Sequence, residues 1–241
     1  LAPLYGQLTP AEQDRAIRPA EPGRRKVVLA TAIAETSLTI EGVRIVVDSG
    51  FRRIPVHEPD TGLTTLQTRR VSRAGADQRR GRAGRTSPGI AIRLWNAGQT
   101  AALAPFDTPE ILAADLAGFA LDLAAWGVTD PSALLLLDSP PAPAWAEAVA
   151  LLKSLDALDP AGRITAEGKA LARLPLHPRL AHMVLAAAAA GDALTAAELA
   201  VLLGERGLGG EDIDLAHRLD RFRTDRSKRA EDARALARRW A

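Results

Sequence analysis

Seven of the seventeen residues from Arg69 to Arg85 are arginine, and Asp77 is the only acid among them. The densest part is Gln78-Arg79-Arg80-Gly81-Arg82-Ala83-Gly84-Arg85. A guanidinium is a planar, permanently charged fork of donors, a shape suited to two-point contact with phosphate oxygens. Arg79, Arg82 and Arg85 recur at every third position, which on a helix would put them on one broad face. Like charges at that spacing repel unless an anion neutralises them. The chemistry this pattern points to is therefore phosphate binding, with surface ion pairs as the plainer alternative.

A second candidate segment runs from Ala30 to Gly42. It places Thr31, Thr36, Ser37 and Thr39 between two strand-like stretches. In open α/β sheets, ligands sit at the carboxyl edge of the strands, where such hydroxyls could donate; ordinary turn chemistry would favour them as well. Other chemistries are poorly supplied. The absence of cysteine excludes disulfides and thiolate metal sites and fits a reducing cytoplasm. The histidines (57, 177, 182 and 217) form no metal-binding motif. The nearest approach to a Walker A loop, Gly162 to Lys169, has the wrong glycine spacing and is followed by Ala170 instead of Ser or Thr. No acidic run of the kind that holds Mg²⁺ beside a nucleotide is present either. No charge-free apolar run approaches membrane-spanning length, so no membrane partner is expected.

These segments need a scaffold, and the 241 residues with 47% hydrophobic content suffice for two or three small domains. Net charge is only +2, so the basic character is local. The first hundred residues alternate between strand-like and helix-like patterns. Lys26–Ala30, Arg44–Val47 and Ile90–Trp95 read as strands, the first two as buried parallel ones, and Pro10–Ile17 as a helix capped by Thr9. Arg52–Glu58 and Leu63–Thr68 flank Pro59-Asp60-Thr61-Gly62 as a β-hairpin with arginines 52, 53, 69 and 70 at its base. Beyond residue 105 the chain turns Ala- and Leu-rich. Leu112, Leu116, Phe119, Leu123 and Trp126 form an apolar stripe that predicts one core helix between Pro109 and Gly127. A helix near Ala144–Leu155, a turn at 159–162, a short strand and a helix from Thr165 have the order of a winged helix. Helices follow to the end, the last predicted over Asp212–Trp240.

Taken with Leu4-Tyr5-Gly6-Gln7-Leu8, the two chemical segments resemble motifs IV, V and VI of superfamily 2 helicases, most closely the DEAH/RHA group. There motif V reads close to T-N-I-A-E-T-S-L-T-I and motif VI Q-R-x-G-R-A-G-R; the chain matches motif VI at every fixed position and departs from motif V at Ala32. Thr108-Pro109-Glu110-Ile111-Leu112 and Leu121 to Gly127 are similar to the bacterial HrpB branch of that group. The resemblance implies an α/β fold followed by mostly α: an incomplete RecA-like parallel sheet with a projecting β-hairpin (residues 1–104, hairpin about 52–69), a winged helix (105–176) and a ratchet-like helical bundle (177–241). It further implies an ATP-dependent helicase with ATP and Mg²⁺ as cofactors and single-stranded nucleic acid, RNA favoured, as partner. Arg82 and Arg85 would be arginine fingers, and Gln78 would help place the attacking water or the γ-phosphate. Thr39 and Glu41 would lie near the nucleotide's ribose and base, Thr31 and Ser37 would hold the nucleic-acid backbone, and Arg24 and Arg25 would contact it from a neighbouring turn. Arg79 and Arg80 would instead lock the motif to its own domain.

With no Walker A loop or acidic box in the chain, the resemblance implies a carboxyl-side fragment whose ATP and Mg²⁺ are held mainly by an upstream RecA-like domain, and which is inactive by itself. The competing expectation is a stand-alone nucleic-acid-binding or regulatory module without ATPase activity.

Overall fold

The computed structural model of the chain describes residues 1–6, 8–36, 40–58, 63–205 and 207–241. They divide into two compact units, Leu1–Ala114 and Asp115–Ala241.

The first unit is built from short parallel pairs. Strand β1 (Ala2–Leu4) runs parallel to β2 (Val28–Ala30), and β3 (Ile45–Asp48) runs parallel to β6 (Ile90–Arg93). Helix α1 (Pro10–Ile17) has the bounds its cap predicts. Thr9 Oγ1 accepts from the Glu12 amide, and the Glu12 carboxylate accepts from the Thr9 amide at 2.9 Å, a capping box that fixes the first turn. A single turn, α2 (Ile33–Thr36), follows β2. Strands β4 (Phe51–Glu58) and β5 (Leu63–Arg70) pair antiparallel along their whole length, from Phe51 opposite Arg70 to Glu58 opposite Leu63. The four-residue turn expected at 59–62 lies outside the described residues.

Helix α3 (Arg73–Gly81) leaves the hairpin directly. Ser72, almost fully buried, caps it by accepting from the Gly75 amide at 3.0 Å. Val71, Ala76 and Leu103 form a small core against which Trp95 packs. The short α4 (Ala97–Ala101) completes the unit, capped by Asn96.

Two expectations for this unit need correction. The apolar strands are not buried on both faces: Ile45, Val47, Ile90 and Ile92 are all at least 46% exposed. Helix α3 packs on the side of β3 that carries Asp48, so one face of the β3–β6 pair has no covering layer among the described residues. Nor do Arg79, Arg82 and Arg85 share a helix. Arg82 is the C-cap of α3 and Arg85 lies in the turns beyond it.

The second unit is helical: α5 (Ala117–Ala125), α6 (Ala142–Ser154), α7 (Ala166–Leu171), α8 (Pro178–Ala189), α9 (Ala193–Gly204), α10 (Leu215–Thr224) and α11 (Lys228–Trp240). Its main core joins Val184, Ala197, Ala200, Val201, Leu202, Phe222, Ala230 and Ala237 from α8 to α11. Alanines dominate this interface and let helix backbones approach closely. Between α6 and α7 the chain makes a minimal wing: Leu158 bridges antiparallel to Ile164, and the Asp159 amide donates to the Arg163 carbonyl at 2.9 Å.

The long stripe helix does not form. The chain makes one 3₁₀ turn at Glu110–Leu112, and Asp115 accepts from the Ala117 amide at 2.6 Å, so α5 starts only there. Leu116 and Leu123 are buried as expected, and Phe119 meets Trp145 edge-on at 6.2 Å between ring centres. Leu112 and Trp126 fall outside the helix and are 39% and 81% exposed, so the stripe is core only in its middle. The terminal charged helix is likewise two helices. Asp225 ends α10 in extended backbone and Ser227 caps α11, accepting from the Ala230 amide. No helix among the described residues is long and apolar enough to cross a membrane.

Candidate functional site

The carboxyl end of α3 and the single turn α2 border an open cavity of about 330 Å³ lined by Glu35, Gln78, Gly81, Arg82 and Arg85. Its cationic wall is motif VI, and its opposite wall is the turn that opens motif V. Arg82 donates from Nε to the backbone carbonyl of Glu35 at 2.9 Å, and its terminal nitrogen bonds the same oxygen. Desolvation, and then the charge of nearby Arg85, hold the Arg82 guanidinium below its ordinary pKa, with Glu35 opposing. Guanidinium still carries its charge at any physiological pH. Two cations so placed repel each other, and an anion between them relieves that repulsion.

Arg79 faces the other way. It is 15% exposed and its guanidinium reaches three separate segments. Nε and NH2 donate to Glu35 Oε2 at 3.2 and 3.1 Å, while NH1 donates to Asp48 Oδ1 at 2.8 Å and to the Phe51 carbonyl at 3.1 Å. Desolvation lowers its pKa, but hydrogen bonding and attraction to Asp48, then Glu35, raise it further, so the net shift is upward. Glu35 and Asp48 are both almost fully buried, and a buried charge persists only where it is paired in this way. Asp48 Oδ1 also accepts from the Gly50 amide at 2.9 Å, whereas its Oδ2 has no hydrogen-bond partner among the described residues. Arg79 thus holds the motif to its own unit; Arg80, expected to do the same, does not, being 65% exposed and 3.8 Å from Asp77 of its own helix.

The rest of the arginine cluster is distributed in the same manner. Arg93 pairs with Asp77 at 2.6 Å, and Arg80 lies 3.8 Å from that carboxylate on the exposed side of α3. At the hairpin base Arg52 pairs with Asp107, and Arg69 donates to Gln67 at 2.6 Å. Arg70 lies 4.9 Å over the Phe51 ring and 5.8 Å from that of Trp95. Much of the positive charge that the sequence concentrates is therefore spent internally. What remains directed at a cavity is the pair Arg82 and Arg85.

The motif V residues are only partly described. Thr31 is exposed at the carboxyl end of β2, where its amide donates to Leu4 at 3.1 Å, and Ala32 is exposed beside it. Ser37 and Thr39 lie outside the described residues. Glu41 is exposed in the turn before β3. Arg24 and Arg25 are exposed beside a turn in which Gly23 has φ of 79°, and Arg24 lies 3.5 Å from Glu21. The cavity therefore unites Gln78, Arg82 and Arg85, while Thr31, Glu41, Arg24 and Arg25 do not line it. Sequence reasoning passed over Glu35 and Asp48 as functional positions. Glu35 stood inside the quoted motif, but its partner lies 44 residues away, and no local spacing marks such a pair.

Similarity to known proteins follows the same segments. The helicase conserved C-terminal domain matches residues 1–87, and the winged-helix helicase associated domain (HA2) matches residues 148–176. The chain is 46% identical over 217 residues to the ATP-dependent RNA helicase HrpB of Escherichia coli K12, a match covering 90% of this chain and 27% of HrpB. It is 39% identical over 183 residues to the probable ATP-dependent RNA helicase DHX34 of Homo sapiens, covering 76% of this chain and 16% of that protein. Two crystal structures of E. coli HrpB, described as a DExH-box NTPase and as a DEAH/RHA helicase, match with TM-scores of 0.78 and 0.85. Each is 42% identical and covers 99% of this chain and 29% of its own. The chain thus spans under a third of the length of each of these relatives. With motif VI intact on its cavity, a RecA-like helicase domain in its first unit and the HA2 winged helix in its second, the chain belongs to the DEAH-type helicase family.

Proposed function

We propose that this chain is the portion of an ATP-dependent RNA helicase that supplies arginine fingers and nucleic-acid grip, with the nucleotide held mainly by an upstream RecA-like domain. The observation that carries this reading is the convergence of Arg82, Arg85 and Gln78 on one cavity. Two guanidiniums suit a polyphosphate. Cations aimed at charge that develops during phosphoryl transfer contribute roughly 10³–10⁵ in rate in comparable enzymes. In this reading Arg82 and Arg85 meet the γ-phosphate and Gln78 orients the water or the phosphoryl group. Thr39 and Glu41 approach the ribose and base.

Mg²⁺ fits the chain less well. No group of three acidic or histidine side chains among the described residues could hold a metal ion. The ion is therefore assigned to the nucleotide's own phosphates and to the upstream domain. Thr31, Ser37, Arg24 and Arg25 are proposed to contact the RNA backbone, a contact that positions a strand without reading its sequence. We further propose a division into a RecA-like part (1–104), a winged helix (105–176) and a ratchet-like helical bundle (177–241), in a protein that works in the cytoplasm. RNA is favoured over DNA because the relatives HrpB and DHX34 are named RNA helicases.

The test is nucleotide-dependent binding of the full-length protein to matched RNA and DNA single strands across a salt series. Tighter, nucleotide-sensitive binding to RNA is expected, weakening as salt rises. Equal affinity for the two strands in every nucleotide state would contradict the RNA assignment.

A further inference from the structure

Glu35 is held from both ends by the same motif. Its carboxylate accepts from Arg79, and its backbone carbonyl accepts from Arg82, one turn further along α3 and its cap. Arg79 in turn donates to Asp48 at the end of β3 and to the carbonyl of Phe51, the first residue of the hairpin strand β4. The chain of contacts from cavity to hairpin base is therefore short and continuous: Arg82, Glu35, Arg79, Phe51. All of it lies within the first unit.

The two arginines differ in what a ligand can do to them. Arg82 lines the cavity and is docked on a neutral carbonyl. A phosphate offers a guanidinium a charge-assisted, two-point partner, stronger than a carbonyl. Arg79 does not line the cavity and is docked on two buried carboxylates, from which an incoming anion cannot displace it cheaply. Drawing Arg82 toward an anion releases the Glu35 carbonyl while Arg79 keeps its grip on the Glu35 side chain. Any resulting shift of α2 is then passed through a stiff, planar group to the Phe51 carbonyl. Asp48 Oδ2, buried without a hydrogen-bond partner among the described residues, leaves this network short of full satisfaction, so a second arrangement need not sacrifice a complete set of bonds.

We propose that Arg79 is a positioning residue that couples occupancy of the Arg82–Arg85 cavity to the base of the β4–β5 hairpin, with Glu35 as the hinge between them. The proposal rests on the functional reading above. It adds that the arginine preceding the fingers transmits nucleotide state to the hairpin, and does not serve merely to fasten a helix.

The test uses the full-length protein, an RNA duplex with a single-stranded tail, and two variants. Arg79→Lys keeps one positive charge but loses the planar fork that spans two carboxylates and a carbonyl. Asp48→Asn keeps an acceptor for Arg79 without the charge, does not line the cavity, and carries the same test if Arg79→Lys fails to fold. Base pairs unwound per ATP hydrolysed should fall in either variant by roughly three- to thirtyfold, the range expected when a coupling network is disturbed. Amide hydrogen exchange in Arg52–Ile54 and Gln67–Arg70 supplies a readout independent of turnover. In the wild type it should differ between ADP and a non-hydrolysable ATP analogue, and in Arg79→Lys that difference should collapse. Parallel loss of hydrolysis and unwinding, or a hairpin exchange difference that survives in the variants, would overturn the link while leaving the functional reading intact. A wild-type protein that hydrolyses no ATP would instead overturn the functional reading, and the link with it.

Discussion

Arg82 Nε donates to the backbone carbonyl of Glu35 at 2.9 Å, so the residue proposed to reach a phosphate is held by the opposite wall of its own cavity. The acceptor is neutral, so a phosphate, which offers a charge-assisted two-point partner, can draw the guanidinium from it. Arg82→Ala should therefore abolish ATP turnover in the full-length protein, by roughly 10³-fold or more. Arg82→Lys should recover little, because an ammonium cannot make the two-point contact. Steady-state hydrolysis of both variants, with melting temperature as a control for folding, checks this. Substantial activity in the lysine variant would mean that charge alone suffices.

Gly89 offers a steric test of the same site. A Cβ there would fall on the backbone carbonyl of Ala83, inside motif VI, so even alanine must displace the segment between Arg82 and Arg85. Gly89→Ala should impair hydrolysis nearly as severely as loss of a finger. It should also lower stability by about 1–3 kcal/mol, the usual range for overpacking. Kinetics together with thermal denaturation would show both effects.

In the second unit the equivalent close approach is Gly168 of α7, whose Cβ would meet the carbonyl of Ala157 and the Ile164 side chain. That contact seats α7 against the wing, and the Thr165 hydroxyl completes it by capping the Gly168 amide at 3.0 Å. Gly168→Ala should cost about 1–3 kcal/mol or more and should be read by a drop in melting temperature. ATP hydrolysis in the absence of RNA should change less than in Gly89→Ala.

Acid should weaken the fold through its caps and turns. Asp159, Asp212 and Asp225 are all held below the ordinary value of 3.8, chiefly by accepting from the backbone amides of Arg163, Asp214 and Ser227 respectively. Each folded pKa lies below its unfolded value, so the stabilisation is present above about pH 4 and is lost as pH falls through the folded values. Melting temperature should be nearly level from pH 7 to 5 and decline below 4. A rise on acidification would contradict this. The three carboxylates are partly exposed to solvent, so each contributes little by itself.

How far these features were legible before the structure depended on range. Thr9 and Pro10 marked the start of α1 to the residue because capping is local, and the hairpin followed from two extended segments flanking a turn signal. Motif VI could be read as a phosphate site from composition alone. Which arginines line the cavity could not be read from composition or period, and only the family resemblance separated Arg79 from Arg82 and Arg85. Arg79 and Arg82 lie three residues apart, yet one is buried on acids from α2 and β3 and the other lines the cavity. Helix period groups them, and the C-cap at Arg82 separates them. Leu112 and Trp126 misled for the reverse reason. Their spacing fits a stripe, but the amide bond accepted by Asp115 starts α5 downstream of Leu112, and Gly127, with φ of 85°, ends it before Trp126 can turn inward. Long-range pairing and local termination both overrode periodicity.

In this reading the arginine cluster acts on a phosphate that another domain holds. It is tested most directly by measuring ATP hydrolysis and RNA affinity side by side in full-length protein carrying Arg85→Ala. The account predicts that turnover falls by roughly 10³-fold or more, while the dissociation constant for single-stranded RNA stays within a few-fold of wild type. Turnover left unchanged, or lost only in proportion to RNA binding, would contradict it.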